Sequence, residues 1–235
     1  VLGAGTHLVW DVLGFELVLY RADSLSFPFA VIFHIAAALN VIYSWHDKHW
    51  LQHCAALSYA GAAIAALHAG DLITLFIWWE ATAVTSVFLI LAAGTSTARR
   101  AAMRYLIFQV LSGVLLLAGA AIYASKAGSI AFTSMTLGDT ASWLIFIAFG
   151  IKAAFPLFNG WLQDAYPEAT VTGTVALSAF TTKLAIYALA RGFAGTECLI
   201  WIGAAMTALP VFFAVIENDL RRVLAFSLNN QLGFM

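Results

Sequence analysis

Residues 141–168 read ASWLIFIAFGIKAAFPLFNGWLQDAYPE, an apolar run with a lysine near its middle and a proline four residues later. A membrane-spanning helix needs about 20 apolar residues, so this run is long enough to cross a bilayer. Pro156 lacks a backbone N–H and its ring clashes one turn back, so a helix containing it kinks or unwinds. With Gly150 and Gly160 on either side of Lys152 and Pro156, the stretch predicts a broken transmembrane helix.

The composition of the whole chain extends this interpretation. Of its 235 residues, 63% are hydrophobic and only 10% are charged, whereas a soluble domain is about 45–50% apolar and about 25% charged. This excludes a soluble globular domain and a disordered chain. A net charge of −1 offers no electrostatic attraction for nucleic acid, and two cysteines cannot build a disulfide framework. The apolar runs are continuous and not alternating, so we predict an all-α, polytopic transmembrane helix bundle, not a β-barrel.

The apolar runs divide the chain into two regions. Residues 1–26 mix charged and apolar residues and predict an interfacial segment or hairpin, and residues 27–235 form the membrane domain. The chain begins without methionine and stops inside an apolar run, so we expect a fragment of a longer protein. Seven spans are predicted, with an eighth beginning near Leu220: 27–45, 52–69, 72–93, 102–123, 141–162 (broken), 171–190 and 199–216.

Basic residues predict the orientation of these spans. The loops on one side carry six of them, Lys48, Arg99, Arg100, Arg104, Arg221 and Arg222, and those on the other side carry three, Arg21, Lys126 and Arg191. By the positive-inside rule the first side is cytoplasmic, in the inner (plasma) membrane. His68 and Asp71 fall in a loop on the outer side, where we expect them to be solvated.

Three charged residues lie near the middle of apolar spans: Glu80, Lys152 and Lys183. A charge at the bilayer centre costs about 2.5–3.5 kcal/mol on insertion scales, so three of them need a compensating reason. One reason is a path for protons or ions, and the other is a buried ion pair that holds helices together. A lysine that is buried away from water releases its proton readily, whereas a nearby carboxylate stabilises the protonated form. A lysine that gains and loses a Glu partner can therefore hold and release a proton. Glu80 and Lys152 fit that scheme, with Lys183 as the acceptor, and give a lateral path in the membrane plane.

The broken helix adds a second indication, because irregular backbone at membrane depth is tolerated where it lines protein or a wet cavity. The alternative is a packing kink. Asp164 and Glu168 follow the break and are interpreted as loop-capping acids or as residues at the cytoplasmic mouth of the path. His34 lies within the first span, and we interpret it either as a neutral, hydrogen-bonded side chain or as a proton relay. We expect no metal, no cofactor and no catalytic redox site, since the cluster of His46, His49 and His53 is too loosely spaced for a metal site.

Four runs carry a family resemblance: WWEATAVTSVFLI, RYLIFQVLSGVLLLAGAAIY, the stretch from IAFGIKAAFP to LAIYALARGF, and NDLRRVLAFSLNNQLGF. They resemble the antiporter-like membrane subunits shared by Mrp-type Na⁺/H⁺ antiporters, respiratory complex I and membrane-bound hydrogenases. GIKAA and TTKLAIYALAR look most similar to the D subunit of Mrp antiporters. The histidines usual in complex I relatives are replaced by Phe158 and Tyr166.

The resemblance implies roles for the same three charged residues. Glu80 matches the Glu of the Trp-Glu motif, Lys152 the lysine of the broken helix, and Lys183 the lysine of the following helix. It also implies the first half of an inverted-repeat fold. The implied function is a proton-translocating subunit of a multisubunit Na⁺/H⁺ antiporter, embedded in lipid with other subunits as partners. The alternatives are a proton-pumping subunit of a complex I-like quinone oxidoreductase or hydrogenase, and a membrane scaffold that has lost transport.

Overall fold

The structure, a computed structural model, describes residues 5–12 and 14–235. The region 1–26 therefore lies partly outside the described residues. Within it, strands β1 (Gly5–Val12) and β2 (Phe15–Ala22) pair antiparallel as a β-hairpin, with Val9 opposite Val18. Of the two forms that the sequence allows for this region, the described part adopts the hairpin.

Nine helices follow in the described chain: α1 (Ser26–Ser44), α2 (Trp50–His68), α3 (Leu72–Leu91), α4 (Ser96–Ala127), α5 (Thr140–Lys152), α6 (Gly160–Ala165), α7 (Val171–Gly192), α8 (Glu197–Ile216) and α9 (Leu220–Phe234). Each predicted span corresponds to one helix, except that the broken span is divided between α5 and α6. Among the described residues, five helices are long and apolar enough to cross a membrane: α1, α3, α4, α7 and α8. Helix α2 has 19 residues and α5 is a shorter apolar helix of 13 residues.

Helix α4 begins earlier than the sequence analysis predicts, at Ser96 instead of residue 102. Thr95 is the reason, because its hydroxyl accepts the backbone N–H of Ala98 at 3.0 Å and caps the helix. The basic residues Arg99 and Arg100 therefore belong to a helical extension and not to a loop. Hydropathy marks where a helix leaves the apolar layer, whereas the cap marks where the helix ends.

Asp71, which is completely buried, attaches the hairpin to the start of α3. Its carboxylate accepts hydrogen bonds from the backbone N–H of Val18 (2.8 Å), Ile73 (2.9 Å) and Thr74 (2.7 Å). The expectation that Asp71 is solvated is therefore wrong, because the side chain caps α3 and binds the hairpin at once. His68 is half-buried and its ring stacks on Tyr20.

The core lies where α3, α4, α5 and α7 meet. Helix α4 packs against both α3 and α5, and α7 contacts α1, α2, α3 and α5. Helix α8 packs mainly on α9, and its buried residues are Met206 and Pro210. This arrangement surrounds the end of α5, and therefore Lys152, with protein on all sides.

Candidate functional site

Lys152 is the last residue of α5 and has no exposed surface. Its Nζ donates hydrogen bonds to the backbone carbonyl of Trp79 (2.7 Å) and to the hydroxyl of Thr82 (2.9 Å). It also lies 4.2 Å from the centre of the Trp79 ring, where a cation is attracted by the ring face. Neutral groups of α3 therefore hold this buried amine.

The Trp79 indole that supports Lys152 is itself fixed by a chain of hydrogen bonds. Its Nε1 donates to the Ser112 hydroxyl at 2.9 Å, and that hydroxyl donates to the carbonyl of Ala148 at 2.7 Å. One small side chain on α4 thus connects α3 with α5. The lysine consequently has a rigid support.

Glu80 follows Trp79 directly and is half-buried. Its carboxylate lies against Gly113 of α4, where a Cβ atom would overlap it. No lysine or arginine nitrogen within residues 5–12 and 14–235 comes within 4.0 Å of this carboxylate, and Oε1 is buried without a hydrogen-bond partner there. Glu80 and Lys152 therefore lie at one height on different helices, separated and not joined as an ion pair.

Lys183 is partly buried on α7. Its Nζ donates to the backbone carbonyl of Ser178 at 2.9 Å, so the amine turns back along its own helix. Among the described hydrogen bonds, none joins Lys183 to Lys152 or Glu80. The structure thus brings Lys152 to the turn of α3 that carries Glu80, and keeps Lys183 apart on the neighbouring helix.

The break between α5 and α6 covers residues 153–159. The backbone is left-handed at Ala154 (φ 60°) and Leu157 (φ 75°), a conformation that non-glycine residues rarely adopt. Gly150 has the Phe155 ring packed where a Cβ would stand. The Ile151 carbonyl accepts both the Ala154 backbone N–H (3.2 Å) and the Trp161 indole N–H (3.0 Å), which ties α6 to the end of α5 across the break. The sequence indicates the break, but not these two strained residues.

The other residues predicted from the sequence around the break lie within it or just after it. Pro156 lies in the turn between the helices, and α6 begins at Gly160. Asp164, on α6, accepts from both Nε and Nη2 of Arg104, and this pair is partly exposed. Glu168 is half-buried in the loop that precedes α7.

His34 lies away from the buried lysine. Its side chain is exposed on α1, and Nδ1 contacts the Ala30 carbonyl one turn back at 2.7 Å. With Tyr20 and His68 it lines a cavity of about 430 Å³ beside the hairpin. The structure therefore does not bring His34 together with Glu80, Lys152 and Lys183.

A set of buried neutral polar groups lies near the lysine and was not predicted from the sequence. The hydroxyls of Ser86 and Tyr105 lie 2.7 Å apart, and the Tyr59 hydroxyl accepts the backbone N–H of Thr181 at 2.7 Å. Gln109 is buried on the face of α4 that carries Tyr105. The spacing of four between Thr82 and Ser86, and again from Tyr105 to Gln109 to Gly113, is the signal that could have found them, since residues four apart share a helix face.

The family model described as "NADH:quinone oxidoreductase/Mrp antiporter, TM" matches residues 69–235. The chain is 28% identical to NAD(P)H-quinone oxidoreductase chain 4 1 of Synechococcus elongatus over 91% of its length, and 27% identical to the D subunit of the Na(+)/H(+) antiporter of Alkalihalophilus pseudofirmus over 84%. It is also similar to a chain of the Mrp complex from a Dietzia species, with a TM-score of 0.79, 25% identity and 92% of this chain covered.

These similarities confirm the predicted fold, a polytopic α-helical membrane protein of the antiporter-like type. The chain spans 44% of the length of each of these three proteins. The relatives are divided between quinone oxidoreductases and antiporters, so they support the family and leave the particular complex open.

Proposed function

Since this chain belongs to the NADH:quinone oxidoreductase/Mrp antiporter transmembrane family, we propose that it moves protons within the membrane through Glu80, Lys152 and Lys183. We propose that it does so as a subunit of a monovalent cation (Na⁺)/H⁺ antiporter, assembled with other membrane subunits. The observation that carries the proposal is the complete burial of Lys152 among neutral hydrogen-bond acceptors. A lysine so placed has no carboxylate bonded to it, and its charge is therefore not fixed by a permanent ion pair.

The proposed cycle depends on how close Glu80 comes to Lys152. When the carboxylate approaches, the ammonium form of the lysine is stabilised; when it withdraws into the space beside Gly113, the neutral amine is favoured. The proton that Lys152 releases passes to Lys183, on the next long helix. Lys152 stands at the start of the break, where a small rotation of the irregular backbone moves its amine without unwinding α5.

The similarity to NAD(P)H-quinone oxidoreductase chain 4 supports a second candidate, a proton-pumping subunit of a complex I-like enzyme. The two candidates require the same three residues in this chain. They differ in what drives the protons, which is a cation gradient in one and quinone reduction in a partner subunit in the other.

The test uses the full-length chain in its membrane complex, reconstituted in vesicles with a pH-sensitive dye. Lys152→Met keeps the length of the side chain and removes the charge, and Lys183→Met does the same on α7. We expect both to slow Na⁺-dependent proton movement by about a hundredfold or more, the scale of positioned proton transfer. The matched control is Lys126→Met, because Lys126 is exposed and pairs with Asp139 at 3.3 Å.

Unchanged Na⁺-dependent proton movement in Lys152→Met would defeat the proposal. Proton movement that needs NADH and quinone, and not Na⁺, would instead favour the second candidate. A wild-type complex that moves no protons in either assay would indicate a scaffold.

A further inference from the structure

Gln109 is a buried polar side chain on α4 that the proposed path leaves unused. It has no exposed surface, and neither Nε2 nor Oε1 has a hydrogen-bond partner among the described residues. An unpaired buried polar group carries the full penalty of losing its contact with water. By comparison, Gln52 of α2 is almost as buried, and its Nε2 donates to the Thr172 hydroxyl while its Oε1 is unpaired among the described residues. The Gln109 amide is therefore expected to bind a partner that satisfies its hydrogen bonds.

The contacts between α4 and α3 fix the position of this amide. Tyr105, Gln109 and Gly113 follow one another at intervals of four and share one face of α4. At one end of that row, the Tyr105 hydroxyl meets Ser86 at 2.7 Å; at the other end, Gly113 lies against the carboxylate of Glu80. Gln109 consequently faces α3 midway between these contacts, beside Thr82.

The contacts between α4 and α5 show how high Gln109 lies relative to Lys152. Ser112 donates to the Ala148 carbonyl, and a Cβ on Gly119 would touch Ala141 and Ile145, so the two helices run antiparallel. Because the helices are antiparallel, moving one turn from Ser112 toward the start of α4, to Gln109, reaches the same height as moving one turn from Ala148 toward the end of α5, to Lys152. The Gln109 amide therefore lies level with the amine of Lys152.

We propose that Gln109 binds water that connects Lys152 and Glu80 to the Ser86–Tyr105 hydroxyl pair, and that protons reach Lys152 through this water. A buried polar group without a protein partner is usually satisfied by ordered water, which makes about three hydrogen bonds. An amide suits this task, because its NH₂ donates two hydrogen bonds and its oxygen accepts two, so it orients a water without ionising. Oε1 of Glu80 is likewise buried without a hydrogen-bond partner among the described residues, and in this proposal it is the second protein partner of the water.

This inference rests on the proposed function, and the proton balance is simple. The neutral amine of Lys152 takes a proton from the bound water and becomes an ammonium. The water takes a proton from the Tyr105 or Ser86 hydroxyl, which is replenished from the side of α4 that faces the cytoplasm in the predicted orientation. Each hydroxyl gives one proton and receives one, so the net result is one proton on Lys152. Gln109 remains neutral and acts as a positioning residue.

The first experiment detects the water without measuring transport. Brief X-ray irradiation produces hydroxyl radicals from ordered water, and these modify adjacent side chains. In the full-length complex we expect Tyr105, which has no exposed surface, to be labelled. Phe33, which is equally buried and packs on Phe180, is the dry reference. Gln109→Leu should reduce the labelling of Tyr105 several-fold, whereas Gln109→Asn, which keeps the amide, should retain most of it.

The matched control is Leu116→Met, a buried apolar position on the same helix, which should leave the labelling of Tyr105 unchanged. Wild-type Tyr105 labelled no more than Phe33, or labelled equally in Gln109→Leu, would overturn the proposal. The Asn variant keeps the test valid if the Leu variant does not fold.

The second experiment measures proton movement in vesicles. Gln109→Leu should slow it by about tenfold, since one positioned water is lost while both lysines remain. Gln109→Asn should recover most of the rate. If water labelling depends on Gln109 but neither the wild type nor Lys152→Met moves protons, the proposed function fails and the water site stands. If Lys152→Met abolishes transport and Gln109→Leu does not alter it, the function stands and the role of Gln109 is wrong.

Discussion

At the scale of single residues, Gly113 determines where the Glu80 carboxylate lies. Because glycine has no side chain, the carboxylate packs directly against α4, in the space that a Cβ atom would fill. Its Oε1 is buried there without a hydrogen-bond partner among the described residues, and no ion pair between described residues joins it to Lys152.

Gly113 provides a prediction at this scale, because the Glu80 carboxylate occupies the space where its side chain would be. Gly113→Ala should displace Glu80 and overpack the contact between α3 and α4. We expect a loss of about 1–3 kcal/mol in the free energy of unfolding, with slower proton movement. Thermal unfolding and the vesicle assay measure the two effects.

Gly61→Ala on α2 is the matched control, since a Cβ there meets nothing within 4 Å. Because Gly61 lies within α2, its change to alanine should raise the free energy of unfolding by about 0.5–1 kcal/mol and leave proton movement unchanged. If Gly113→Ala behaved like Gly61→Ala, the packing of Glu80 against α4 would be contradicted.

The charged residues are the part of this site that can be recognised from sequence. Glu80, Lys152 and Lys183 stand out because a charge inside a bilayer is costly, and that cost is visible in any apolar run. Gln109 and Tyr105 carry no charge, and their partners lie far away in sequence. Sequence predicts the height of a residue in the membrane but not which helix faces meet, so the separation of Glu80 from Lys152 could not be predicted.

At the scale of elements, the helices follow from the apolar runs and the break follows from Pro156. The local geometry of the break does not, because an alanine and a leucine, Ala154 and Leu157, adopt left-handed backbone there. Tertiary packing imposes this strain, and strained backbone of this kind gathers at functional sites. The sequence did not distinguish a hairpin from an interfacial segment, because the attachment of the hairpin depends on Asp71, a residue from a distant loop.

Leu157 allows this strain to be measured. It is 94% exposed, so its replacement loses little packing, and its φ of 75° costs about 1–2 kcal/mol for a residue with a Cβ. In Leu157→Gly, the relief of strain offsets the greater flexibility of glycine in the unfolded chain. We expect the free energy of unfolding to change by less than about 0.5 kcal/mol.

Leu117→Gly in the regular part of α4 is the comparison, and it should lose about 1 kcal/mol or more, because helical glycine carries the same flexibility without relief of strain. Chemical denaturation of both variants in detergent gives the difference. Equal losses at the two positions would contradict a left-handed Leu157.

The attachment of the hairpin region to α7 predicts a pH dependence. Burial by itself raises the pKa of Asp23, but hydrogen bonds from the Arg191 guanidinium (2.9 Å) and the Ser26 backbone (2.8 Å) outweigh it and hold the pKa well below its ordinary value of 3.8. A carboxyl group with a lowered pKa contributes stability above its ordinary value and loses it as the pH falls toward the lowered one. Hydrogen-exchange protection of the Ser26 amide, which donates to the Asp23 carboxylate, should therefore stay constant down to about pH 4 and then decrease.

Asp23→Asn removes the charge and should reduce this protection already at neutral pH, with little further change on acidification. Asp11→Asn, on the exposed part of the hairpin, is the control and should behave like the wild type. Wild-type protection that decreases between pH 7 and pH 5 would contradict the prediction.

At the scale of the whole molecule, the chain has a well-packed part from α1 to α7 and a pair, α8 and α9, that packs mainly on itself. The polar groups of the candidate site lie inside the first part, with Lys152 in its middle. The pair α8–α9 is joined to this part by apolar contacts, with Met206 and Leu232 in the shared core, and by hydrogen bonds of Arg221. Its Nη2 donates to the Ala169 carbonyl at 2.7 Å and to the Thr174 hydroxyl at 2.8 Å, which ties α9 to the loop after the break.

Arg221→Ala should therefore loosen α8 and α9 relative to the rest of the chain. Hydrogen bonds from a charged group contribute about 1.5–3 kcal/mol, so losing them should broaden the distance distribution between spin labels on Ile107 and Phe212, both of which are exposed. Arg222→Ala is the matched control, because the neighbouring arginine is exposed and its one ion pair, with Glu217, is 3.9 Å long. Surface pairs of that kind contribute at most about 1 kcal/mol, so the distribution should stay as in the wild type. If both variants gave the wild-type distribution, the α8–α9 pair would have to be held by its apolar contacts, and Arg221 would serve only to cap the loop that follows the broken helix.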